Sequence, residues 1–228
     1  MEVIPAIDLL GRKAVRLEQG DYDRVSKYGK PAELAARFAA AGARWIHVVD
    51  LDGARAGLIR PVVVAALVHA SAPASVQASG GVRSVADAEA LLRAGARRVV
   101  VGTAAWTILD ELVASLGERL VVALDVREGV VRTEGWTESG LDLDQAIDRC
   151  IGSGVSRLLC TAIERDGTLD GPDIDLVRRV VERSRLPVLA AGGIRSETDL
   201  DALEQAGAEG AVVGRALLEG QITFTARA

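Results

Sequence analysis

Residues 78–104 read ASGGVRSVADAEALLRAGARRVVVGTA, and residues 190–216 read AAGGIRSETDLDALEQAGAEGAVVGRA. The offset is 112 positions throughout, from Gly80 to Gly192 and from Gly102 to Gly214, with no gap, and 15 of the 27 aligned positions are identical. Each copy runs through an apolar stretch, Gly-Gly, an Arg-Ser helix start, a helix ending at Ala-Gly-Ala, a valine-rich strand and a further glycine. Ser84 and Ser196 suit helix N-caps, where a hydroxyl oxygen accepts from an unpaired N–H of the first turn. An ungapped repeat of this length implies two related halves, at about 1–117 and 118–228.

The flanking sequence keeps the same rhythm. Apolar runs at 2–8, 44–51, 75–79, 97–102, 119–125, 156–161, 187–191 and 210–214 predict eight strands. Helices are predicted at 31–41, 61–70, 84–94, 142–152, 172–184 and 196–206, with a brief last one at 216–220. The stretches 11–31, 53–60, 127–140 and 162–171 read as polar loops, and the tail 221–228 does not read as helical. Most of the strands are continuously apolar, as in parallel sheets buried on both faces. Eight strand–helix units without a linker predict an α/β fold: one (β/α)8 TIM barrel domain over residues 1–228, with a doubly wound open sheet as the alternative.

Composition narrows the function. The chain has 228 residues, 49% of them apolar, and a net charge of −5, which argues against a nucleic-acid or anionic-membrane surface. Cys150 and Cys160 suggest no disulfide framework. The N-terminus MEVIPAIDLL lacks a basic signal region, and no apolar run approaches the roughly 18–20 residues that span a bilayer. A cytoplasmic protein is expected. His47 and His69 stand in a strand and a helix without a Cys/His cluster, so they read as packing or surface residues, and no metal site is expected. No Walker A or GxGxxG pattern occurs, so no cofactor is expected.

In such a barrel the chemistry sits at the C-terminal strand ends. Glycines there let backbone N–H groups approach an anion, and the helix start that follows adds partial positive charge. Gly80, Gly81, Gly102 and Thr103 form one candidate phosphate cradle; Gly192, Gly193, Gly214 and Arg215 form the other, half a ring away. Two cradles on opposite sides imply an elongated, bisphosphorylated small-molecule substrate. The alternative is that these glycines only make tight turns. Asp8 and Asp125 end the first and fifth strands, also half a ring apart, and two carboxylates facing a ligand's centre suit paired acid and base work. Alternatively, each caps a turn or pairs with an arginine such as Arg16 or Arg127. Thr161 is placed to support a carboxylate or the substrate. Arg16, Asp50, Trp136 and Asp166 are expected to line the site, and Arg83 to approach a phosphate or pair with helix acids. Trp45 and Trp106 read as packing residues.

A resemblance joins these pieces. PAIDL at 5–9, VRLEQGD at 15–21, HVVDLDGA at 47–54, SGGVRS at 79–84, ALDVREG at 123–129, EGWTE at 134–138, TAIERDGTLDGPD at 161–173, AGGIRS at 191–196 and VGRALLEG at 213–220 resemble the ProFAR isomerases of histidine biosynthesis, over nearly the whole chain. The resemblance implies an Amadori rearrangement of an aminoaldose to an aminoketose without a cofactor. It also implies a catalytic pair at Asp8 (base) and Asp125 (acid), with Thr161 in support. Ser79 stands where many such enzymes have a third glycine. Ser-Gly-Gly is familiar from bifunctional isomerases that also take phosphoribosylanthranilate, but those carry Arg before Gly-Trp where this chain has Glu134. One main activity is therefore expected, with a bifunctional isomerase that also takes phosphoribosylanthranilate as the alternative. The cyclase of imidazole glycerol phosphate synthesis and a non-catalytic phosphosugar-binding barrel are the competing readings. A monomer is expected.

Overall fold

The computed structural model describes residues 1–224; the final four residues of the tail lie outside it. The first half contains β1 (Glu2–Leu10), β2 (Lys13–Glu18), β3 (Asp21–Gly29), α1 (Pro31–Ala40), β4 (Trp45–Asp50), α2 (Leu51–Ala56), α3 (Pro61–Ala70), β5 (Ser75–Ser79), α4 (Val85–Arg93), β6 (Arg98–Val101) and α5 (Ala105–Leu116). The second contains β7 (Leu120–Arg127), β8 (Val130–Thr133), β9 (Glu138–Asp142), α6 (Leu143–Gly152), β10 (Leu158–Ala162), α7 (Ile174–Ser184), β11 (Val188–Ala191), α8 (Glu197–Gln205), β12 (Gly210–Val213) and α9 (Arg215–Leu218).

Eight strands pair in parallel in the order β1, β4, β5, β6, β7, β10, β11, β12, and β12 returns to β1. This is a closed (β/α)8 TIM barrel. Two apolar clusters hold it together. The larger lies between sheet and helices and includes Ile7, Ile46, Leu91, Leu112, Leu124 and Ile147. The smaller fills the barrel interior with Ile4, Ala6, Val100, Val121, Ala123, Leu159, Leu189 and Val212. Strand residues on both faces are therefore buried, which explains why the runs look continuously apolar. At the N-terminal end Trp45 packs against the inner cluster, with the Arg98 guanidinium 4.0 Å from its ring centroid.

Three stretches expected to be loops carry regular structure. Residues 11–31 form the hairpin β2–β3: β1 runs past the barrel rim and pairs antiparallel with β2, Asp8 opposite Val15. Buried Val15 and Leu17 alternate with the more exposed Arg16 and Glu18, a two-residue period masked by the polar composition. Residues 127–140 mostly belong to the end of β7, β8 and the start of β9, with Val131 buried. Residues 51–56 form α2, capped by Asp50, whose carboxylate accepts from Gly53 N at 2.9 Å. The helix expected to open at Pro172 begins at Ile174, because the Asp173 carboxylate caps it by accepting from Leu176 N at 2.9 Å.

The paired glycines have a packing role shared by both halves. Gly80 and Gly81 have φ of +107° and +80°; Gly192 and Gly193 have +99° and +79°. A Cβ on Gly80 would lie 2.2 Å from the Asp50 carbonyl oxygen, and one on Gly192 2.6 Å from that of Ala162, the position 112 residues beyond Asp50. Gly81 and Gly193 would each come within 2.3 Å of a backbone oxygen, on Leu58 and Gly171. Each pair thus lets one strand end press backbone to backbone onto the preceding βα loop, a contact that a side chain would block.

Candidate active site

The C-terminal strand ends surround one cavity of about 450 Å³. Asp8, Arg16, Gly80, Gly81, Arg83, Gly102, Thr103, Asp125, Trp136, Thr161, Asp166 and Gly214 all line it. Gly192, Gly193 and Arg215 line a smaller cleft of about 20 Å³, which shares Arg16, Asp166 and Gly214 with the main cavity. That volume is close to one water molecule. The first glycine pair therefore borders the large cavity, and the second borders only the small cleft. Arg215 Nη1 donates to the Gly167 carbonyl at 2.7 Å, and its Nε donates to Glu219 at 2.8 Å.

Asp50 is a correction. It does not face the cavity. It is 2% exposed, caps α2 and accepts from Arg60 Nε at 2.6 Å, so its carboxylate holds the second βα loop together. Its place at a strand end made it look like a site residue, but its chain direction turns it behind the wall.

The two aspartates facing the cavity have different surroundings. Arg16 Nη1 donates to Asp8 Oδ2 at 2.8 Å, while Nη2 bonds to Asp166. Asp8 Oδ1 is buried and has no hydrogen-bond partner among the described residues. Burial raises the Asp8 pKa, and the Arg16 charge works against that rise. Burial also raises Asp125, but only neutral donors oppose it, the side chains of Trp136 and Thr161. Asp166 is pushed up to about 6 by burial, with Arg16 lowering it and the Asp8 and Asp125 carboxylates raising it. One guanidinium thus serves two carboxylates on the Asp8 side, whereas the side-chain partners that lower Asp125 are the neutral Trp136 and Thr161.

The two hairpins meet above the mouth. A Cβ on Gly20, between β2 and β3, would lie 2.7 Å from the Trp136 ring. Gln19 N donates to the Asp166 carbonyl at 2.9 Å, and Gln19 Nε2 donates to the Glu164 carbonyl at 2.8 Å. Glu134, Gly135 and Trp136 all have positive φ, and this tight turn brings the indole back over the cavity. Thr103 Oγ1 accepts from Glu134 N at 2.9 Å, and Arg83 lies 3.5 Å from the Glu134 carboxylate. Arg83 therefore pairs with an acid from another loop rather than from its own helix, although its backbone N–H does bond to Asp87.

Several lining residues escape a reading of strand ends. Tyr22 and Arg132 come from the hairpins, Arg55 from α2, and His47 from the interior of β4. The hairpin residues become visible only once 11–31 and 127–140 are read as alternating strands. His47 follows from the alternation Trp45, His47, Val49 on β4.

Residues 2–223 match a family described as Histidine biosynthesis protein. The chain belongs to that family. Among its relatives, a protein of Thermomicrobium roseum is 45% identical, covering 98% of this chain and 95% of the relative. One from Sorangium cellulosum is 46% identical over 98% and 96% of the two chains, and one from Acidothermus cellulolyticus is 41% identical over 96% and 93%. All three are named 1-(5-phosphoribosyl)-5-((5-phosphoribosylamino)methylideneamino) imidazole-4-carboxamide isomerase. No described helix is long and apolar enough to cross a membrane.

Proposed function

We propose that this chain is the isomerase for which its relatives are named, the ProFAR isomerase of histidine biosynthesis. It converts an N-linked aminoaldose to the aminoketose. The observation that carries this reading is the placement of Asp8 and Asp125 on one cavity, with a glycine cradle at either side. The relatives' printed name contains two phosphoribosyl groups, in keeping with a ligand phosphorylated at both ends.

The surroundings of the aspartates support a division of roles between them. Asp125 is half-buried and desolvation raises its pKa, with no cation bonded to it among the described residues, which favours its protonated form, so it delivers a proton to the ribose ring oxygen and opens the ring to a Schiff base. Trp136 and Thr161 orient it. Asp8 has Arg16 as counter-ion, which favours the carboxylate, so it removes the C2′ proton. The electrons move to the nitrogen, giving an enolamine. Loss of its hydroxyl proton and protonation at C1′ leave the ketone. Substrate and product are isomers, so no redox partner or hydrolytic water is consumed. Gly80, Gly81, Arg83, Gly102 and Thr103 bind one phosphate; Gly192, Gly193, Gly214 and Arg215 bind the other. These handles hold the ribose between acid and base, and that positioning is itself a large share of the rate. The enzyme works as a cytoplasmic monomer, one domain of two half-barrels at about 1–117 and 118–228.

The test is turnover of ProFAR by the purified protein without ammonia or a glutaminase, with phosphoribosylanthranilate as a second arm. Turnover of ProFAR is expected. Its absence, with binding of ProFAR retained, would leave a non-catalytic barrel and overturn the reading.

A further inference from the structure

His47 is the feature that the proposed chemistry leaves unused. Side chains at odd positions of β4 point into the barrel, and the His47 ring lines the cavity. It sits opposite Ala6 on β1, one residue pair below Asp8, whose partner on β4 is Val49. Two residues along a strand are about 7 Å, so His47 lies deeper than the base and on the same side of the ring. The floor around it is apolar: Ala6, Val100, Ala123, Leu159, Ala191 and Val212. The other titratable side chains lining the cavity, among the described residues, come from the C-terminal part of a barrel strand, from the hairpins, from α2 or from a βα loop.

Its neighbour fixes its chemistry. Gln77, opposite His47 on β5 and fully buried, places Nε2 3.0 Å from His47 Nδ1. In this orientation of the Gln77 amide its nitrogen donates to Nδ1, which assigns the ring proton to Nε2. Gln77 Oε1 is buried with no hydrogen-bond partner among the described residues. A buried amide with an unpaired oxygen is a cost that an apolar residue would avoid, which points to a role for the pair beyond packing. Burial and the nearby Arg16 charge push His47 down to about 4, so the ring stays neutral at working pH.

We propose that His47 is a further catalytic residue of the isomerisation, donating from Nε2–H to the C2′ oxygen of the reacting ribose, and that Gln77 is the positioning residue that fixes its tautomer. The inference rests on the functional reading above. A ribose held between Asp8 and Asp125 over this floor turns an oxygen toward an apolar surface with one donor in it. That oxygen becomes the ketone as the enolamine loses its hydroxyl proton and C1′ gains one. A neutral, pre-aimed N–H stabilises the charge that gathers there and is not itself consumed.

The experiment compares His47→Leu, which removes the donor, with His47→Gln, which keeps one of similar reach, and Gln77→Leu, with ProFAR as substrate. His47→Leu is expected to lower kcat by about 100-fold, the usual effect of removing one such donor, with KM within about 3-fold. His47→Gln recovers at least about 10-fold of that loss, and Gln77→Leu lowers kcat by about 10-fold. Thermal melts show whether each variant is folded. If His47→Leu is not, the parent protein decides: it has two histidines, so nitrogen NMR with His69→Gln as the assignment control reads His47 directly. The expected signature is a bare Nδ1 and a protonated Nε2 that do not titrate between about pH 5.5 and 8. A proton on Nδ1, or a kcat within about 3-fold of the parent in folded His47→Leu, overturns the inference. If the parent itself does not turn over ProFAR, the functional reading falls and the inference falls with it; if only the His47 variants are indifferent, the functional reading stands.

Discussion

The two glycine cradles share a backbone and differ in what their side chains do with it. Around Gly80 and Gly81 the space opens into the 450 Å³ cavity, and the last position of the quartet is Thr103, whose hydroxyl anchors the Glu134–Trp136 turn. Around Gly192 and Gly193 only about 20 Å³ remains, and the matching position is Arg215, tied to Gly167 and Glu219. The preceding loops differ in the same way. Asp50 caps and braces one of them, while Ala162 stands at the equivalent point of the other. In the proposed function the repeated backbone sets where each phosphate is received, while the side chains around the two glycine pairs leave different amounts of space.

The largest expected effect tests the shared part. Gly81→Ala and Gly193→Ala each drive a Cβ into a carbonyl oxygen at positive φ, and each should cost about 3 kcal/mol or more of stability. Equal losses in denaturant melts support a common backbone; a loss in one half alone breaks the comparison. The next tests the difference. Arg215→Ala should raise KM by roughly 10–100-fold by removing a charged phosphate donor, whereas Thr103→Val should raise it by only about 3–10-fold. Initial rates decide, and the reverse order would place the stronger handle in the first cradle. The smallest effect concerns Asp166, which borders both spaces. Its raised value of about 6 means that it binds a proton below that pH, leaving Arg16 to serve Asp8 alone. As pH rises through 6, ionised Asp166 competes for Arg16 and works against the Asp8 carboxylate. The kcat/KM profile should therefore show an inflection near pH 6 that Asp166→Asn abolishes. The same sign holds for stability: this carboxyl favours the folded state at low pH, and the benefit is lost as pH rises from about 4 to 6.

What could be read in advance followed from demands on the backbone. Gly80, Gly81, Gly192 and Gly193 are visible in the sequence because no other residue fits their contacts, and Asp8 and Asp125 because they end apolar runs. The hairpins were hidden because their outward positions are polar, so 11–31 and 127–140 look like loops until Val15, Leu17 and Val131 are seen to be buried. Asp50 shows the limit of strand-end logic, since one bond to Gly53 N turns an apparent site residue into a cap. His47 shows the opposite limit: a histidine inside an apolar strand reads as packing until its Gln77 partner is known, and that pairing exists only across β4 and β5.

The central claim is that Asp8 and Asp125 divide base and acid work across one bound ribose. Its most direct test measures turnover and binding of ProFAR for Asp8→Asn and Asp125→Asn. Each variant should bind within about 3-fold of the parent while kcat falls by about 1,000-fold or more, roughly 4 kcal/mol of barrier. Turnover within about 10-fold of the parent in either variant, with binding intact, would contradict the assignment.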